Sequence, residues 1–134
     1  MKTIVKILLV TVFTVIMGSC SDDNTNSLIE IRVENASNFK YDNIYIHPSS
    51  SFATGQGNKN YGNLNPNSFS EYKNFDFAYP YAAVQITIDN NNYTLFPIDF
   101  VGEEPLKPGK YTYKITANTS SNEYEKLNLI LIKD

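Results

Sequence analysis

From Leu28 onward the apolar residues recur with period two, and no long window carries a 3.6-residue period, so the chain reads as all-β. Ile29, Ile31 and Val33 alternate with Glu30, Arg32 and Glu34, the pattern of a strand with one buried and one wet face. A second strand is expected over Asn43 to His47, followed by a loop from Pro48 to Lys59 that is rich in Ser, Gly and Asn and pinned by Phe52. Tyr61 to Leu64 and Phe69 to Phe75 flank the turn Asn65-Pro66-Asn67-Ser68 and predict a hairpin. Ser68 and Glu71 also fit a helix capping box, with Phe69, Tyr72 and Phe75 along one helical face; the strand reading is preferred.

Ala82, Val84, Ile86 and Ile88 define one face of a strand over Tyr81 to Ile88, and Asp89 to Asn92 turns it into a partner strand over Tyr93 to Phe96. Pro97 to Pro108 is a connection. Lys107-Pro108-Gly109-Lys110 then turns into a strand with Tyr111, Tyr113 and Ile115 on one side. Leu127 to Ile132 is apolar at nearly every position, which predicts a central strand covered on both faces. About six to eight short strands need two layers, because a single sheet would leave an apolar face wet. The expected fold is a two-sheet antiparallel β-sandwich, immunoglobulin-like or prealbumin-like.

The first twenty residues follow another rule. Lys2 and Lys6 precede the uncharged run Ile7 to Met17, and Gly18 and Ser19 lead into Cys20, the organisation of an export signal. Eleven helical residues span only ~16 Å, about half of a hydrocarbon core, which disfavours a permanent membrane span. Met17-Gly18-Ser19-Cys20 resembles a bacterial lipobox, in which the cysteine receives lipid and the chain is cleaved before it. The resemblance implies that residues 1–19 are removed and that Cys20 is anchored to the membrane. Two or three acyl chains on one residue hold far more firmly than one. Residues 20–27 continue as Ser21-Asp22-Asp23-Asn24-Thr25-Asn26-Ser27, a polar tether that buries nothing, and residues 28–134 are left to form the domain. The acidic pair after Cys20 also looks like a surface-export signal of Bacteroidetes lipoproteins, which tips the expected display at the outer membrane slightly toward the cell surface.

The strings IRVENASNF (31–39), YGNL (61–64), SEYKNF (70–75), YAAVQITID (81–89), YTLFPIDFVGEEPLKPGKYTYKI (93–115) and LNLILIKD (127–134) resemble a recurrent group of small Bacteroidetes lipoproteins. That resemblance covers most of the chain after Cys20. It implies location and fold and carries over no catalytic residue or cofactor.

Composition narrows the chemistry. After Cys20 there remain nine basic and fourteen acidic residues, a formal charge of −5, which disfavours a nucleic-acid partner. Seventeen of the eighteen Phe and Tyr residues lie there too, so the core is expected to be rich in rings. A single Cys allows no internal disulfide, and a single His supplies no zinc cage. His47 has neither a thiol nor a Gly-x-Ser-x-Gly elbow to serve, so it reads as a strand-edge residue. Asp99, Glu103 and Glu104 share one loop and offer oxygen ligands to Ca²⁺, or a carboxylate pair, yet they match no EF-hand spacing and solvated loop acids explain them equally.

Phe77, Tyr79 and Tyr81, with Phe75 nearby, form a candidate platform for a sugar ring or an envelope protein; the competing reading places the same rings in the core. Asn35-Ala36-Ser37, Asn92-Tyr93-Thr94 and Asn118-Thr119-Ser120 match glycosylation sequons, which a bacterial lipoprotein does not normally use. Three function classes remain. The first is a non-enzymatic binding or accessory module held at the bilayer by Cys20. The second is an inhibitor or immunity protein that inserts a loop such as Phe96 to Pro105, and the third, ranked last, is a carboxylate-dependent hydrolase.

Overall fold

The computed structural model describes residues 28–48, 57–97, 102–118 and 126–134. Phe52, Asp99, Cys20 and the apolar run before it lie outside the described residues. Nine strands are present among those described: β1 (Ile29–Asn35), β2 (Asn43–His47), β3 (Lys59–Asn60), β4 (Ser68–Phe69), β5 (Lys73–Phe75), β6 (Ala83–Ile88), β7 (Asn91–Leu95), β8 (Gly109–Ala117) and β9 (Leu127–Lys133). They build two packed sheets. One has the order β4-β1-β8-β9 with β5 also on β1, and the other the order β3-β2-β6-β7. The two-layer all-β expectation is therefore met. One neighbouring pair departs from it, since β1 and β8 run parallel.

Alternation explains the core directly. Ile29, Ile31 and Val33 of β1 point inward with Tyr111, Tyr113 and Ile115 of β8, facing Ile44 and Ile46 of β2 and Val84, Ile86 and Ile88 of β6. On the outer face of the first sheet, Glu30, Arg32 and Glu34 stand opposite Lys110, Thr112 and Lys114. Lys110 reaches Glu30 at 3.3 Å and Lys114 reaches Glu34 at 3.5 Å. Such exposed pairs add little stability individually. Their value is in register, because a slip of two residues would set Arg32 against a lysine.

Four expectations need correction. Tyr61 to Leu64 does not pair with the segment after the turn; Leu64 bridges Tyr41, while β4 and β5 both pair with β1. Long-range pairing to the fully buried face of β1 thus overrides the local turn, and the 69–76 segment is two short strands without a helix. The strand β9 is at the sheet edge, with Ile130 and Ile132 52% and 39% exposed. Its unbroken apolar run comes from inward Leu127, Leu129 and Leu131 interleaved with outward isoleucines, so it does not signal coverage on both faces. Finally, His47 is 2% exposed in a strand flanked by β3 and β6, and is no edge residue. The β6–β7 turn is tighter than expected: Asp89 and Asn90 alone carry it, at φ of 49° and 62°, and Asn91 already pairs with Ile88.

A ring-filled core must also satisfy its hydroxyls. Tyr61, adjoining the second sheet, donates to the Ile31 carbonyl of the first at 2.8 Å. Tyr41 donates to Ile115 O at 3.1 Å, and Tyr113 of β8 to Tyr79 O, on the chain entering β6, at 2.7 Å. Each phenol crosses from one layer to chain belonging to the other. Asn35 closes the end of the sandwich: its Nδ2 donates to Phe39 O and Leu64 O at 2.8 and 3.1 Å, and its Oδ1 accepts from the Ser37 N–H and hydroxyl. Buried and fully engaged, Asn35 is a structural knot, which accounts for the Asn-x-Ser pattern there without any sugar.

Replacing Tyr61 by Phe should cost about 1 kcal/mol in urea unfolding, whereas Tyr45→Phe, on an exposed ring, should be neutral.

Candidate functional site

The segment after β5 turns its small residues inward. Ala78 and Ala82 are fully buried, and the intervening positions carry the rings outward. Its backbone is held at two points, with Ala78 O accepting from Leu106 N–H at 2.7 Å and Tyr79 O accepting from the Tyr113 hydroxyl. Phe77 is 44% exposed, and its ring meets that of Tyr79 edge-on, with centroids 6.4 Å apart and an interplanar angle of 72°. Tyr79 and Tyr81 are half-buried. Phe75, grouped with them in the sequence, belongs to the core. Period two explains the split, since Phe75 lies opposite the inward Ile29. What remains is a compact aromatic surface on an anchored backbone, able to meet a ring face or an apolar side chain with little ordering cost.

A second cluster lies on the outer face of the first sheet and was not singled out in the sequence. Arg32, the sole arginine of the chain, holds its guanidinium 4.4 Å from the centroid of Phe69 and 5.0 Å from that of Tyr72. Its Nε donates to Thr112 Oγ1 at 2.9 Å, and Nη2 stands 3.6 Å from Asp134. Asp134 also accepts the Thr112 hydroxyl at 2.8 Å and the Tyr72 hydroxyl at 2.6 Å, while Lys110 lies 4.6 Å from the Tyr72 ring. Burial opposes ionisation of Asp134, but the hydrogen bonds from Tyr72 and Thr112 and the charge of Arg32 prevail and hold its carboxyl below the usual range. The same carboxylate raises the pKa of Tyr72. Alternation placed Arg32 on the wet face, but its rings and carboxylate come from positions far along the chain. No local signal joins them.

The remaining candidates stay apart. Glu103 and Glu104 are exposed, and no group of three His, Cys, Asp or Glu residues among those described is arranged to hold a metal ion. Phe96, at the start of the proposed inhibitory loop, is 54% exposed. At the β6–β7 end, Phe39, Ile88, Asp89, Asn91, Tyr93 and Asn118 line a shallow open cleft of about 80 Å³, too small to enclose a ligand of ordinary size. Asn92 spends its side-chain oxygen on the Thr87 hydroxyl at 2.8 Å, so the second Asn-x-Thr pattern also has a structural use. Among the described residues no helix is long and apolar enough to cross a membrane.

Two measurements follow from these clusters. Phe77→Ala should cost about 1 kcal/mol, because nearly half of the residue is already in water; a loss of several kcal/mol in urea unfolding would make it a core ring. Asp134 has a lowered folded-state pKa, so its contribution to stability is present above the ordinary carboxyl value near ~4 and disappears as pH falls toward the folded value. Asp134→Asn should therefore flatten the decline in unfolding free energy between about pH 5 and pH 2 relative to the unsubstituted chain.

No family model and no curated protein matches the chain. Among solved structures it is similar to the NMR structure of a protein from Eubacterium rectale, with 13% identity over 82% of this chain and 91% of that one and a TM-score of 0.49.

Proposed function

We propose that the protein is a lipid-anchored, non-enzymatic binding or accessory module of the bacterial cell envelope. The observation that carries this reading is the sequence Met17-Gly18-Ser19-Cys20, which places the only cysteine directly after an export-type apolar run and before a polar tether. The first strand begins at Ile29, so the tether leaves the body intact if residues 1–19 are removed. In this reading the lipid on Cys20 supplies attachment to the outer membrane, and the folded body supplies recognition. The surface suited to recognition is that of Phe77, Tyr79 and Tyr81, for two reasons. Its rings are presented on a backbone fixed by Tyr113 and Leu106, and they combine apolar faces with hydroxyl tips, a chemistry matched to a glycan or an envelope protein. The module needs no cofactor.

Expressed in a Gram-negative host with lipoprotein processing, the unsubstituted chain should sediment with membranes and resist high-salt extraction. Cys20→Ala should enter the soluble fraction after signal removal while keeping the β-rich circular dichroism of the parent. A signal-cleaved Cys20→Ala chain that remained in the membrane pellet would refute lipid anchoring at this residue.

A further inference from the structure

Two rings and a carboxylate are the means by which this chain holds a guanidinium of its own. Arg32 lies over Phe69 and Tyr72 and beside Asp134, and the sequence contains no second arginine. The same constituents recur around Phe77. That residue is 44% exposed and meets Tyr79 edge-on. Asp76, its neighbour in the chain, is exposed, and so are Glu103 and Glu104. The hydrogen bond from Leu106 N–H to Ala78 O fastens the two segments together at 2.7 Å. From Glu104 to Leu106 is at most ~7 Å of chain, so the acidic pair lies within about one screening length of that bond.

These carboxylates are unspent. Glu30, Glu34, Asp42 and Asp134 each stand in an ion pair, with Lys110, Lys114, Lys40 and Arg32 respectively. Among the described residues Asp76, Glu103 and Glu104 enter none. Lysines lie over the rings of Phe75, Tyr61, Tyr72 and Tyr93, and among the described residues none lies over Phe77. Segments 76–81 and 102–107 together carry a formal charge of −2, Lys107 included. An exposed ring set in an excess of negative charge favours a cation over a neutral sugar. Of the two side-chain cations, guanidinium is planar and weakly hydrated, and it stacks on ring faces where an ammonium keeps its water.

We propose that this surface takes an arginine side chain presented by a partner protein, the guanidinium stacking on Phe77 while Asp76, Glu103 and Glu104 supply the opposing charge. The assignment rests on the reading of the Phe77 surface as the recognition surface and names the chemistry of its partner. A neutral glycan would use the rings and leave the three carboxylates unanswered.

The test titrates an acetylated, amidated Gly-Arg-Gly-Arg-Gly peptide into the full chain carrying Cys20→Ala, labelled with nitrogen-15 and kept in low salt. The amides of Asp76, Phe77, Ala78 and Tyr79 should shift and saturate. The same peptide with citrulline, the uncharged isostere, in place of both arginines should bind at least about fivefold more weakly. Phe77→Ala should weaken the arginine peptide about threefold, and the exposed pair Glu103→Gln with Glu104→Gln about threefold as well, each with unchanged circular dichroism. Equal affinity for the citrulline peptide would overturn the proposal, as would an affinity that survives both sets of substitutions. Shifts with cellohexaose and none with the arginine peptide would overturn the guanidinium assignment while keeping the Phe77 surface as a recognition surface. Amides silent toward both probes would overturn the assignment and that reading together.

Discussion

Hydroxyl groups carried into an apolar interior must find partners there, and in this protein that constraint decides how the two layers are joined. A small sandwich rich in rings gains much of its burial from tyrosine, yet each buried phenol left without an acceptor would cost about 1–3 kcal/mol. Tyr41, Tyr61 and Tyr113 solve this by spanning the layers and donating to Ile115 O, Ile31 O and Tyr79 O. Burial raises the pKa of all three, so the neutral donor is the form that the fold retains. The Tyr113 bond has a further effect, because its acceptor is the backbone of the exposed aromatic segment. The same hydroxyl that satisfies the core thus positions Phe77 and Tyr79.

On the outer face of the first sheet, complementary charges accompany the pairing of the strands. β1 and β8 pair with inward Ile, Val and Tyr on one face and Glu-Arg-Glu against Lys-Thr-Lys on the other, which fixes their register. Arg32 gathers Phe69, Tyr72, Thr112 and Asp134 around it, tying the short β4 and the segment after it to the end of β9. That arrangement leaves one border of the sheet protected by short strands and the other formed by a long apolar one.

Much of the architecture could be read from alternation alone. The inward residues of β1, β6 and β8 and the two-layer arrangement follow from period two and from the need to cover an apolar face, whereas 69–76 fitted a strand and a short helix alike. Pairing was less legible. The turn at Asn65 to Ser68 has good local chemistry, with Asn67 at a φ of 54°, but a turn does not determine which strands it joins when β1 offers a better-buried neighbour. The position of β9 was misjudged for a related reason: an apolar run records the composition of both faces and carries no information on what covers them. Phe77, Tyr79 and Tyr81 were legible as a group of rings but not as surface or core, and the structure leaves Phe77 exposed and the two tyrosines half-buried. The Arg32 cluster was not, since its members stand at residues 32, 69, 72, 112 and 134 and only the sheet order unites them.

The claim that neutral phenols join the two layers is tested most directly by following tyrosine ionisation through its ultraviolet absorbance as pH is raised, with circular dichroism recorded on the same sample. A group whose folded pKa is raised contributes stability that is present below its ordinary value and lost as pH climbs above it. Tyr41, Tyr61 and Tyr113 should therefore ionise only above the ordinary tyrosine value of ~10, in one cooperative step that coincides with loss of the β signal. Smooth ionisation of all ten tyrosines around pH ~10 with the β signal intact would contradict the account.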